Sequence, residues 1–257
     1  MISKYRINAY LKYRKTAVSK HGIHSPFVYD LVTKVFLKKK EKYGEDVAED
    51  YRTECILNKE SIDVLDLGSG KSGPRKIASI AKKVTNTPAH GQLLYRIIKY
   101  IKPKKMLELG TSLGITTYYE ASACKHEKFI SLEGCPEIAA KAVSFFEQNK
   151  LNVTVRIGDF QNTLLKALQD LEAVDYVFFD GNHQENATVN YFETCIPFIT
   201  NDTIFIFDDI HWSVEMERAW EKIKMHPKTK MSLDLFHLGI IFFREEQKER
   251  EHFVIRY

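Results

Sequence analysis

Two stretches of this chain end apolar runs in acids that could work together. Phe178-Phe179-Asp180-Gly181-Asn182-His183 is one, and Phe207-Asp208-Asp209-Ile210-His211-Trp212 is the other; Asp180 and Asp208 stand 28 residues apart. Apolar runs of this length read as buried parallel strands, whose polar ends gather at the edge where open α/β sheets bind ligands. Three carboxylates near one point repel unless a cation or protons neutralise them. The all-oxygen set Asp180, Asp208 and Asp209 would suit a divalent cation such as Mg²⁺, Mn²⁺ or Ca²⁺. His183 titrates near neutrality and could act as a general base. Without a metal, the same acids read as helix caps and direct ligand contacts.

A third stretch is Met106-Leu107-Glu108-Leu109-Gly110-Thr111-Ser112-Leu113-Gly114. It reads as a buried strand, a glycine turn and a helix start, where bare backbone and free N–H groups can approach a ligand. About 20 residues on, Phe129-Ile130-Ser131-Leu132-Glu133 is a short strand ending in an acid, the position of a ribose-binding carboxylate. Gly158-Asp159-Phe160-Gln161 ends the next strand, and Asp159 can cap the helix that follows.

The spacing Glu108-x-Gly110-x-x-x-Gly114 is not the dinucleotide pattern G-x-G-x-x-G. It resembles the first motif of class I S-adenosylmethionine (SAM)-dependent methyltransferases, and within them the catechol and caffeoyl-CoA O-methyltransferase-like group. That resemblance covers about residues 85–257. It implies that Glu108, Gly110, Thr111, Ser112 and Gly114 shape the cofactor loop and that Glu133 holds the ribose. It also implies that Gly158, Asp159, Phe160 and Gln161 meet the adenine. Residues before a Gly-Gln pair lie against SAM in the group; Gly91-Gln92 carries this to Thr85, Asn86 and Thr87. The group binds a divalent ion through an Asp and an Asp-Asn pair; this chain has Asp180 and Asp208-Asp209. Many metal-free relatives use the first acid on the methionine moiety, a role open to Asp180. A catalytic lysine of the group corresponds to His183. The resemblance thus implies transfer of a methyl group to a small-molecule hydroxyl, with metal assistance as one variant. The rivals are an RNA methyltransferase using the basic front of the chain and a SAM-binding protein without catalysis.

The elements positioning these residues alternate regularly from Lys104. Strands are expected over 104–110, 127–133, 152–157, 174–180 and 203–208, with helices over 113–124, 136–149, 161–171, 185–195 and 213–225. Two strands joined by a tight turn close the chain over 232–243. The fold class is therefore α/β: a Rossmann-like, seven-stranded, mostly parallel sheet with helices on both faces and an antiparallel last strand. An N-terminal helical extension, 1–84, precedes the methyltransferase domain, 85–257.

Within the extension, residues 1–20 read as a helix. Gly22 ends it, and Ser25-Pro26 starts a second helix running to about Lys40. His21-Gly22-Ile23-His24-Ser25-Pro26-Phe27 resembles the N-terminal region of a Bacteroidetes-type group of methyltransferases. His21 and His24 lack a third ligand and read as cap and packing residues; the segment is a candidate lid. Residues 41–60 are charged and read as a linker. Gly68-Ser69-Gly70-Lys71-Ser72-Gly73 matches G-x-G-x-x-G literally, but no acid occurs between Leu67 and Met106, so residues 61–83 read as a short strand or turn feeding a helix that Pro74 starts.

Composition is that of an ordinary globular chain, 44% hydrophobic and 28% charged. No apolar run approaches the roughly 18 residues of a membrane span, and no secretory signal is evident. Cys55, Cys124, Cys135 and Cys195 form no C-x-x-C pair, which fits a reduced cytoplasmic protein without structural zinc. Residues 1–42 hold eleven Lys/Arg against Asp30 and Glu41, a front that could meet an anionic partner or serve as a solvated face. The expected partner is a small-molecule acceptor, and a homodimer is compatible with this reading.

Overall fold

The computed structural model describes residues 4–38, 45–68, 70–83 and 87–257. In chain order the elements are α1 (Lys4–Thr16), α2 (Pro26–Leu31, continued by a π-helical turn over Val32–Phe36), α3 (Glu45–Leu57), β1 (Ser61–Val64), β2 (Gly73–Lys76), α4 (Ile77–Lys83) and α5 (Pro88–Ile101). Alternation follows: β3 (Lys105–Leu109), α6 (Ile115–Ala123), β4 (Lys128–Glu133), α7 (Pro136–Gln148), β5 (Thr154–Ile157), α8 (Phe160–Leu171), β6 (Val174–Phe179), α9 (Glu185–Cys195), β7 (Ile199–Asp208) and α10 (Val214–Met225). The chain closes with β8 (Met231–Asp234), β9 (Leu238–Phe242) and β10 (Glu251–Val254). These pack as two compact units, a middle unit of 38–167 and a flanking unit of 1–37 with 168–257.

In the middle unit β3, β4 and β5 run parallel, with Met106 opposite Phe129 and Glu133 opposite Ile157. Met106, Leu107, Leu109, Ile130 and Leu132 are fully buried, which is why these runs carry apolar residues on consecutive positions rather than alternate ones. Thr87 accepts from the His90 N–H at 3.4 Å and Pro88 opens α5, as the sequence signals require.

Two expectations fail here. The segment expected to be a linker contains α3. Its charged residues hide three anchors: Ala48 and Cys55 are buried, and the Tyr51 ring stacks on Phe145 at 3.7 Å. Pro74 does not start a helix; it lies in β2, whose antiparallel pairing with β1 sets Asp63 against Pro74. A two-stranded hairpin leaves edges on which the missing N–H of proline costs nothing.

In the flanking unit the strand order is β10-β8-β9-β7-β6. β6 and β7 are parallel, whereas β9 is antiparallel to both β7 and β8. The expected antiparallel strand is thus present. An unforeseen eighth strand, β10, pairs parallel with β8. The charged approach Arg244–Arg250 masks its short apolar signal. Ser25 caps α2 by accepting from Val28 N–H at 3.5 Å. The first helix is anchored rather than loose: the Tyr13 hydroxyl donates to the Ile255 carbonyl at 2.5 Å, and Ala9, Tyr13 and Ala17 form an apolar cluster with Phe236. Among the described residues no helix is long and apolar enough to cross a membrane.

Candidate functional site

The glycine loop after β3 bends through three left-handed residues, Gly110 (φ +111°), Ser112 (φ +48°) and Gly114 (φ +82°). Its N–H groups are not free as the sequence led one to expect. Those of Gly110 and Thr111 both donate to the Leu132 carbonyl, at 2.9 and 3.1 Å, that of Gly114 donates to Thr111, and that of Ser112 donates to Glu133 Oε2 at 2.8 Å. The loop therefore offers bare backbone surface rather than these donors, which suits a ligand without phosphate groups. Gly114 is irreplaceable for a second reason. A Cβ there would lie 2.6 Å from the Phe146 ring, which is buried. Gly114→Ala should cost about 2–4 kcal/mol from backbone strain plus overpacking, read as a lowered midpoint in urea unfolding.

Glu108 lies beneath this loop with no solvent exposure. Its Oε2 accepts from the Thr117 hydroxyl at 2.7 Å and from Ser131, which also bonds Thr111. Glu108 thus braces the loop from below and is a positioning residue. Burial raises its pKa from 4.5 to about 7, with Ser131 and Thr117 opposing and Glu133 adding to the rise. Between those values the folded chain holds more protons than the unfolded one, so stability falls as pH rises through that window. Glu108→Gln should reduce this fall by on the order of 2 kcal/mol, measured as the difference in unfolding free energy between pH 5 and pH 8.

Glu133 ends β4 with both oxygens in backbone bonds, Oε2 from Ser112 N–H and Oε1 from Cys135 N–H at 2.9 Å. Each carboxylate oxygen has a second lone pair, so the group is fixed in direction and still able to accept. Burial raises its pKa, opposed by these N–H donors. Gly158 N–H ties the β5 end to the Glu133 carbonyl at 2.9 Å. Asp159 Oδ1 accepts from Gln161 N–H at 2.9 Å, so it caps α8. Phe160 is half-buried and Gln161 exposed. Thr87 caps α5, while Thr85 and Asn86 lie outside the described residues.

The second cluster belongs to the flanking unit. Asp180 follows β6, and Asp208 ends β7 as a buried side chain. The Asp208 pKa rises from 3.8 to about 7, first by burial and then by the neighbouring Asp209 charge, with the Asp180 side chain opposing the rise. Asp208 Oδ1 is buried without a partner. Asp209 adopts a left-handed backbone, φ +52°, and its carbonyl accepts from Trp212 N–H at 2.8 Å. His183 is half-buried, with Nε2 3.7 Å from Asp180 Oδ1. Burial lowers its pKa against the opposing charge of Asp209, so the ring is neutral at pH 7, the form a base requires.

Among the described residues no group of three or more His, Cys, Asp or Glu side chains is placed to hold a metal. Positive charge comes from α1, where Arg6 acts on Asp208 and its guanidinium lies 4.3 Å from the centre of the Trp212 ring.

Sequence reasoning missed Arg6, Asp234 and His237. Asp234 Oδ2 pairs with His211 Nε2 at 2.8 Å, and its Oδ1 accepts from Phe236 N–H. Burial lowers the pKa of His237, which also feels Asp209, Arg6 and His211. The only signal was Asp234 ending its strand; nothing local pairs it with His211. Trp220 is buried core, with Gly239 bare because a Cβ would meet its ring at 2.7 Å. His21 and His24 are exposed beside the capped start of α2.

Residues 107–210 match the methyltransferase domain family. The SAH-bound methyltransferase PaMTH1 of Podospora anserina superposes with a TM-score of 0.56 at 16% identity, over 81% of this chain and 100% of its own. This is a class I SAM-dependent methyltransferase fold. The Bacillus cereus O-methyltransferase in complex with SAH shares it at a TM-score of 0.53 and 18% identity, over 84% of this chain and 97% of that one. So does the Streptomyces achromogenes O-methyltransferase TomG, in complex with SAM, at 0.55 and 14%, over 84% and 96%. No curated protein matches this chain by sequence. In the class I fold the β3 and β4 ends carry the Glu108-to-Gly114 loop and Glu133, and the β6 and β7 ends carry Asp180 and Asp208.

Proposed function

We propose that this chain is a SAM-dependent methyltransferase acting on a hydroxyl group of a small molecule. The observation that carries the reading is Glu133, a strand-end carboxylate clamped by Ser112 N–H and Cys135 N–H beside the glycine loop. The family match over 107–210 and the fold support it. SAM, when bound, supplies a strongly electrophilic methyl group. Glu133 accepts from the ribose hydroxyls, Gly110 to Gly114 give the cofactor a bare surface, and Gly158 to Gln161 meet the adenine. Alignment and exclusion of water do most of the remaining work. His183, neutral at pH 7, takes the proton of the acceptor hydroxyl, and Asp180 orients and stabilises the resulting imidazolium.

A metal is not used in this reading, because no group of three or more His, Cys, Asp or Glu side chains among the described residues is placed to hold one. The basic front gives the RNA reading little support: Lys12 pairs with Glu217 at 3.2 Å, Lys34 pairs with Asp30 at 2.6 Å, and Arg6 lies on Trp212. Isothermal titration of SAM into chelator-treated protein, followed by SAH release over a panel of phenolic and other small hydroxyl acceptors, tests the proposal. SAM binding and turnover that persist in EDTA are expected. Turnover that EDTA abolishes and Mg²⁺ restores would return the carboxylates to a metal. Absence of SAM binding in folded protein would overturn the whole reading, and retention on RNA with a steep salt slope would favour the rival.

A further inference from the structure

The chain leaving β1, residues 65–68, leads into the literal G-x-G-x-x-G of 68–73, to which the sequence assigned no site. It lies alongside the turn Glu133-Gly134-Cys135. Asp63 N–H donates to Glu137 Oε2 at 2.9 Å, Leu65 N–H donates to Cys135 Sγ at 3.4 Å, and the Cys135 thiol donates to the Asp63 carbonyl at 3.6 Å. Arg75 pins the segment from the other side through Asp66, at 3.0 Å, and the Lys71 carbonyl. Asp66 is near enough to Glu133 to raise its pKa. Leu67 lies directly over Gly134: a Cβ on that glycine would be 3.2 Å from Leu67 Cδ1. Leu67 remains 45% exposed, as does Leu65 two residues before it.

We propose that Leu67 is a cofactor-specificity residue, supplying the apolar surface against which the adenosine moiety of SAM packs. This rests on the assignment of Glu133 to the ribose. On that assignment, a nucleobase joined to the ribose would lie beside the turn that follows Glu133. The first residue of that turn is Gly134, which has no side chain to offer. Leu67, reaching in from the hairpin, takes its place. Flat, weakly polar base faces gain from such contact.

The test measures SAM, adenosine and methionine binding to four variants of the full chain by titration, with thermal unfolding alongside. Loss of about 40 Å² of apolar contact corresponds to about fivefold in affinity. Leu67→Ala should weaken SAM and adenosine by about that factor and leave methionine unchanged; Leu67→Asp should weaken the first two further; Leu67→Met should restore them. Glu133→Gln is the control for the underlying assignment. If Glu133→Gln leaves SAM affinity unchanged, the ribose assignment fails. If Glu133→Gln weakens binding while Leu67→Ala and Leu67→Asp do not, the ribose assignment stands and the Leu67 proposal is overturned. A lowered melting temperature with unchanged affinity would make Leu67 a clip for the hairpin and overturn the proposal equally.

Discussion

Glu133→Ala is expected to weaken SAM binding by about 100-fold, the loss of two charge-assisted hydrogen bonds to the ribose at about 1.5 kcal/mol each. Part of that loss would come through the protein itself. The carboxylate also holds Ser112 N–H and Cys135 N–H, and those donors are stranded when it is removed. Glu133→Gln separates the contributions. Its carbonyl oxygen keeps one acceptor, so an intermediate loss of about tenfold is expected. Titration calorimetry of SAM against both variants checks the order. Equal, unchanged affinities would remove Glu133 from the cofactor site.

His183→Gln should lower turnover by about 10²–10⁴-fold while leaving SAM affinity unchanged, the signature of a lost general base. The wild-type pH profile carries the complementary signature. Burial depresses the His183 pKa below its ordinary 6.5, so the neutral, proton-accepting ring persists at neutral pH. The rate should therefore be level through neutrality and fall as pH drops below 6.5. Initial rates of SAH release from pH 5 to 9 measure this. A His183→Gln variant with an unchanged rate and profile would assign the proton transfer elsewhere.

Much of the fold was legible in local chemistry. The strands β3 to β7 announce themselves as apolar runs, and the helices between them carry visible starts, such as Pro136 at α7 and Ser213, whose hydroxyl accepts from Met216 N–H at α10. These signals are short-range, so one sequence suffices to read them. The failures have a common cause as well. The third helix hides three anchors, Ala48, Tyr51 and Cys55, among charges. β10 is four residues long after a charged run. β2, where Pro74 was expected to start a helix, holds only by pairing with β1. In each case burial, not propensity, decides the element.

The candidate site divides along the same line. Residue types and spacing were enough to single out Glu108, Gly110, Gly114, Glu133, Asp180, His183 and Asp208, because a strand end followed by a turn places each of them at the same kind of edge. Their states were not readable there. That Glu108 is a buried brace, that burial raises the Asp208 pKa, and that Asp234 holds His211 all depend on burial and on partners far away in the chain. So do Arg6 against Trp212 and Leu67 over Gly134, 206 and 67 positions apart. Strand and turn signals act over a few residues, whereas desolvation and charge pairing are set only when distant segments close on one another.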